Sequence, residues 1–260
     1  MDKLKIASYD LEPTKTIHYM EGHAFEGYEM IQREIIRLIE EGKRIFVFDF
    51  YPGVREEEVE EALQRLNPNL IIHTRVCVKS PKELDETFRD YVTNEPVFGV
   101  MCYKKLIDYF DKEELKKAQR TIQNSKDGIV FILGTGAGLF AKADSYFYFD
   151  LTRWEIQTRY KNGMSNWMWK NETAPFQEKY KRGFFIEWRL ADRHKKLWFD
   201  KMDYVVYTNI PNQPKMITGD AFRSALRRLS HEPFRLVPYF DPGIWGAMNE
   251  GKVQSTSRYE

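Results

Sequence analysis

The chain predicts an α/β fold, a mostly parallel sheet with helices on both faces. Short β-branched and aromatic runs alternate along it with segments of helical period, the pattern of strands joined by crossover helices. Those runs are apolar without a break, as strands buried on both faces are. With 42% hydrophobic and 15% aromatic residues among 260, there is enough side-chain mass for one large core.

The elements follow in order. Residues 1–26 are punctuated by Pro and Gly and hold no sustained period. Over 27–41, Met30, Ile31, Ile35, Leu38 and Ile39 recur at helical spacing, and Gly42 supplies a stop. IFVFDF, 45–50, is a strand, a Tyr-Pro-Gly turn follows, and an acidic helix is expected over 55–66. After Asn67-Pro68-Asn69, LIIHTRVCV reads as a second strand. Ser80-Pro81 opens a short helix, VFGVM at 97–101 is a strand candidate, and KKLIDYF and KEELKKAQRTIQN are helices. The apolar run 129–134 and SYFYFDL, 145–151, are strands, and TRWEIQTRYKNG is the helix after them. Residues 164–176 are polar, aromatic and irregular. A long amphipathic helix is expected over 177–200, then the strand DYVVYT. A last helix begins with a Thr218 cap and an acidic first turn. The organisation expected is an irregular segment with one helix over 1–44, an α/β domain over 45–232 and a proline-rich tail over 233–260.

Bulk charge narrows the function. Lys+Arg 40 against Asp+Glu 39 leaves the chain nearly neutral, which argues against a nucleic-acid-binding protein even though 179–196 is basic and 55–61 acidic. The N-terminus has no apolar signal core, and GIVFILGTGAGLF is too short and glycine-broken to span a bilayer. A cytoplasmic protein with no membrane partner is expected. Cys77 and Cys102 are far apart, no CxxC exists, and His18 and His23 have no neighbouring ligands, so neither zinc nor any other metal site is expected.

Two glycine corners and one basic segment could carry chemistry. The first corner is Asp49, Tyr51, Pro52, Gly53, Val54 and Arg55, a strand–turn–helix at whose helix N-terminus an anion is favoured. Phosphate loops carry Gly-Lys-Ser or Gly-Lys-Thr there. This one has Arg55 followed by Glu56, Glu57 and Glu58, which suit a plain helix start equally well. The second corner is Gly134, Thr135, Gly136, Ala137 and Gly138, either an anion nest of backbone N–H groups or a tight turn. In the basic segment Arg153, Arg159, Arg182, Arg189 and Arg193 could clamp phosphoryl oxygens, or could form a solvated face paired with Glu178, Glu187 and Asp192. His194 and Asp192 are an acid–base pair if both line a cleft.

Several stretches together resemble known families. GIVFILGTGAGLF with SYFYFDLTRWEIQTRY is similar to the second half of the uridine-kinase-like P-loop phosphotransferases. DFYPGV, WEIQTRY, YKRGFFIEWRLADRHK, TGDAFRSALRR and FRLVPYFDPGIWG resemble the N-terminal kinase-like domain of large bacterial class I mannose-6-phosphate isomerases. The resemblance implies a P-loop nucleoside-kinase-like domain over 45–232 that binds a phosphate or sugar phosphate in hexose-phosphate metabolism. It implies Mg-nucleotide such as ATP as cofactor, a small phosphorylated molecule as partner, and Asp49, Arg182 and Arg189 in catalysis. Tyr51, Pro52, Gly53, Val54, Arg55, Gly134, Thr135, Gly136, Gly138, Arg153, Arg159 and Arg193 would then hold the cofactor. The alternative it leaves is a non-catalytic module that docks on a cupin isomerase domain or chain, since the metal-binding His/Glu cluster of a cupin is not found in this sequence.

Overall fold

The computed structural model describes residues 15–18 and 23–232. It divides into two compact units, residues 19–223 and a smaller unit of residues 1–18 with 224–260. The proline-rich 233–260 stretch lies outside the described residues. In the smaller unit Lys15 pairs with Glu232 at 3.2 Å.

The larger unit is built on a seven-stranded sheet. Its elements are β1 (Ala24–Glu26), α1 (Gly27–Glu40), β2 (Ile45–Phe50), α2 (Glu56–Gln64), β3 (Leu70–His73), α3 (Pro81–Phe88), α4 (Lys112–Asn124), β4 (Val130–Gly134) and β5 (Ser145–Asp150). Then come α5 (Arg153–Lys161), α6 (Phe176–Arg182), α7 (Trp188–Trp198), β6 (Tyr204–Tyr207), β7 (Lys215–Thr218) and α8 (Gly219–Leu229), which runs across the unit boundary. The strand order is β1-β7-β6-β5-β2-β4-β3. The five strands from β3 to β6 are parallel, and β7 and β1 add an antiparallel edge.

Alternation along β2 decides what each face carries. Phe46, Phe48 and Phe50 share one face with Phe131, Phe147 and Phe149, and Phe48 lies 5.0 Å from Phe131 and 5.1 Å from Phe147. Helix α1 covers this face, tied by the Tyr204 hydroxyl to Glu34 at 2.5 Å. Val47 and Asp49 look to the other face, beside Tyr146 and Tyr148, where α7 brings His194 and Lys195. Helices therefore lie on both faces, as the apolar runs imply.

Four expectations change. VFGVM, 97–101, is not a strand. Its backbone bonds run to loop partners instead, with the Val100 N–H donating to the Tyr91 carbonyl at 3.0 Å. The second strand stops at His73, where a short 3₁₀ turn, Thr74–Cys77, takes over. KKLIDYF reduces to the 3₁₀ turn Leu106–Tyr109. The 177–200 helix is broken by a π-helical turn, Gly183–Glu187, between α6 and α7. The edge strands β1 and β7, three and four residues long, have no sequence signal strong enough to separate them from loops.

Candidate functional site

Neighbouring strands β2 and β5 send their outgoing connections in opposite directions, β2 toward β3 and β5 toward β6. In open α/β sheets, ligands gather at the carboxyl ends of such a pair. The polar clusters here are arranged around that point.

The innermost is closed. Asp49 is fully buried. Its Oδ1 accepts the Gly136 N–H at 2.9 Å, and its Oδ2 accepts the Gly138 N–H at 2.9 Å and the Tyr146 hydroxyl at 2.6 Å. The same Oδ2 pairs with His194 Nε2 at 2.6 Å. The second glycine corner is thus an anion nest whose anion is the protein's own carboxylate. Gly136, at φ 82, takes a left-handed conformation that turns its N–H inward. Burial alone would raise the Asp49 carboxyl. The His194 charge and the hydrogen bonds outweigh it and hold the group below the usual carboxylate value. Asp49 has no lone pair facing solvent, and a general base or magnesium partner needs one. His194 faces Asp49, whereas Asp192 points elsewhere, so the two do not form an acid–base pair.

A second cluster lies above β2 and β5. The Tyr51 hydroxyl donates to Asp192 Oδ1 at 2.8 Å, and Arg153 Nη2 reaches Asp192 Oδ2 at 2.5 Å. Arg189 stands 3.9 Å from the same oxygen, and Lys195 pairs with Asp150. Burial and the Asp192 charge push the Tyr51 phenol well above its usual value. Four consecutive residues of α7 therefore reach four different partners: Asp192 the Tyr51 turn, Arg193 the carbonyls of Cys102 and Lys104, His194 Asp49, and Lys195 Asp150.

The structure does not bring the remaining arginines into one clamp. Arg182 lies beneath the irregular 164–176 segment, stacked under Trp169 at 3.8 Å and 3.5 Å from the buried Glu187. Burial raises Glu187 above the usual carboxyl value, although Arg182, Asn166 and Tyr160 all stabilise its charge. Trp167, partly buried, stacks on Tyr109 at 4.6 Å and packs against the core. Arg159 is buried. It bonds Glu155 at 2.7 Å, the Gly53 carbonyl at 2.7 Å and the Thr208 carbonyl at 2.9 Å.

The third cluster is open. A 330 Å³ cavity lies between the first turn of α2 and α5, lined by Val54, Arg55, Glu57, Thr158, Asn162 and Met164, with Arg159 and Glu155 in its wall. Among the described residues the Arg55 side chain has no hydrogen-bond or ion-pair partner, and its Nη1 is buried. Arg159 is held below the usual guanidinium value, first by burial and further by the nearby Arg55 charge, against the pull of Glu155. The two cations are therefore neighbours. The Tyr51–Arg55 turn itself is tight. The Val54 N–H returns to the Tyr51 carbonyl at 3.1 Å, and a Cβ on Gly53, at φ 109, would stand 3.1 Å from Ile156. Of the first-turn acids, Glu56 faces Arg75 at 3.6 Å, Glu58 accepts the Tyr28 hydroxyl, and Glu57 has no partner among the described residues. Sequence reasoning selected Arg55 but not Glu57 or Asn162 as ligand contacts, because two exposed polar residues on separate helices leave no motif.

Among the described residues no group of His, Cys, Asp and Glu could hold a metal ion, and no helix is long and apolar enough to cross a membrane.

No curated protein matches the chain, so the resemblance to mannose-6-phosphate isomerases finds no support there. Among solved structures, shikimate kinase from Bacteroides thetaiotaomicron matches at 12% identity, over 72% of this chain and 96% of that one, with a TM-score of 0.36. Residues 27–231 match the family described as a domain of unknown function, DUF8485, and the chain belongs to that family.

Proposed function

We propose that the chain binds a small phosphorylated molecule in the cavity beside Arg55, on a P-loop-kinase-like sheet that no longer transfers phosphoryl groups. The observation that carries this reading is the Arg55 guanidinium, which has a buried nitrogen and no partner among the described residues. A buried donor left unmade costs about 1–3 kcal/mol, and an anion in the cavity would satisfy it with a charge-assisted bond. The fold type is supported by the parallel strands, in which β2, the first of them, lies centrally and feeds the candidate corner.

Binding is favoured over transfer because phosphoryl transfer rests on charge stabilisation and positioning. The corner has no lysine, and the strand-end carboxylate is enclosed by its own donors.

Calorimetric titration with inorganic phosphate, mannose 6-phosphate and Mg-ATP tests the reading, with wild type beside Arg55→Gln. Saturable phosphate-ester binding that weakens at least ~10-fold in the variant, the loss of one charged hydrogen bond, is the expected result. Wild-type affinity in Arg55→Gln would refute it, and so would silence with every phosphate.

A second reading, a module that docks on another protein domain, is favoured by one observation. Val97, Phe98, Val100 and Tyr103 form an exposed apolar stretch, with Phe98 69% and Tyr103 80% accessible.

A further inference from the structure

The cavity beside Arg55 holds both signs of charge. Arg159 and Glu155 neutralise one another across 2.7 Å. Arg55 and Glu57 remain, and neither has an ion-pair partner among the described residues, each other included. The Asn162 amide also lacks a side-chain partner among them. One unpaired cation, one unpaired carboxylate and one amide with both donors and an acceptor thus surround a single space.

This combination selects against a polyanion. Any phosphate seated on Arg55 brings its charge toward Glu57, and each further negative group adds to the repulsion. A positive group on the same molecule reverses the sign of that interaction.

We infer that the ligand is a small zwitterion, an aminoalkyl phosphate whose phosphate is held by Arg55 and whose ammonium is held by Glu57, with Asn162 bonding the polar atoms between. The inference rests on the reading of this cavity as an anion site.

The experiment compares O-phosphoethanolamine with propyl phosphate, which has the same shape without the ammonium. Both are titrated calorimetrically into wild type, Arg55→Gln and Glu57→Gln at one ionic strength. Both substitutions stand outside the core, and thermal melts confirm that each variant is folded. Wild type should bind O-phosphoethanolamine at least tenfold tighter than propyl phosphate. Glu57→Gln should erase that preference, weakening O-phosphoethanolamine and leaving propyl phosphate bound as well as before or more tightly, and Arg55→Gln should weaken both ligands. Equal wild-type affinity for the two probes would overturn the zwitterion and leave the anion site standing. No saturable binding of either probe would overturn both.

Discussion

Replacing Asp49 by asparagine keeps the side-chain shape and removes the charge. The carboxylate accepts four donors, three of them on Oδ2. An amide has one acceptor oxygen, and its nitrogen can only donate. The best orientation puts that oxygen where Oδ2 was, so the new nitrogen faces the Gly136 N–H. One buried donor is orphaned, at about 1–3 kcal/mol. Where the His194 imidazole is protonated, the substitution also removes one partner of a buried ion pair, at about 3–5 kcal/mol. These two losses share atoms and do not add, so the expected destabilisation is about 3–5 kcal/mol. For a domain of this size ~1 kcal/mol moves the midpoint by roughly 2–4 °C, and thermal melts followed by circular dichroism should show a fall of roughly 6–20 °C at pH 7. The pH dependence has a definite sign. The Asp49 carboxyl is lower in the folded state than unfolded. Its stabilisation is therefore present above the unfolded value, near ~3.9, and is lost as pH falls through the folded one. The gap between wild type and variant should be full at pH 7 and narrow below pH ~3.9. A fall of under ~3 °C at pH 7, or a gap that persists unchanged in acid, would refute the buried carboxylate as the anchor of the glycine turn.

Gly134→Ala should destabilise by about 2 kcal/mol or more, since φ is 125 and the added Cβ would stand 2.2 Å from the Thr74 hydroxyl oxygen; urea unfolding measures it, and a cost under ~0.5 kcal/mol would mean that the turn relaxes. Asp192→Asn should cost only about 1 kcal/mol or less, because Arg153 and Asp192 are more than a third exposed and screened by solvent; urea melts at 50 mM and 1 M salt should show the difference shrinking, and a salt-independent loss of several kcal/mol would contradict the geometry.

The sheet was legible because its signal is local. IFVFDF, the 129–134 run and SYFYFDL are central strands packed on both faces, and their apolar residues report that directly. VFGVM has the same composition and is no strand, since strand formation needs a partner ladder. The arginines divided for a similar reason. Arg153 and Arg189 meet at the β2–β5 ends, but Arg182 and Arg193 serve the packing of α6 and α7 against Tyr109 and the 102–104 backbone. Which of two equally spaced cations meets a carbonyl and which meets solvent depends on loops some ninety positions away. The glycine corner could be read as an anion nest or as a tight turn. Its anion, 87 positions earlier, was not legible.

The backbone of the Tyr51–Arg55 corner differs from that of a phosphate loop. A phosphate loop works by turning successive N–H groups toward one anion. Here only five residues join the end of β2 to the start of α2. The Tyr51 N–H is bonded to the Phe149 carbonyl, and the Val54 N–H is bonded to Tyr51. The Gly53 carbonyl faces inward to Arg159, and Ile156 closes on Gly53. Of the five, Tyr51 and Val54 direct their N–H groups to the protein and Pro52 has none to give. What the corner offers an anion is the Arg55 side chain, whose planar guanidinium presents a rigid fork of donors that matches the oxygens of a phosphate. The same short turn leaves the Arg55 side chain without a partner among the described residues. The shortness of the loop therefore bears on both features, the engaged backbone and the unpartnered cation.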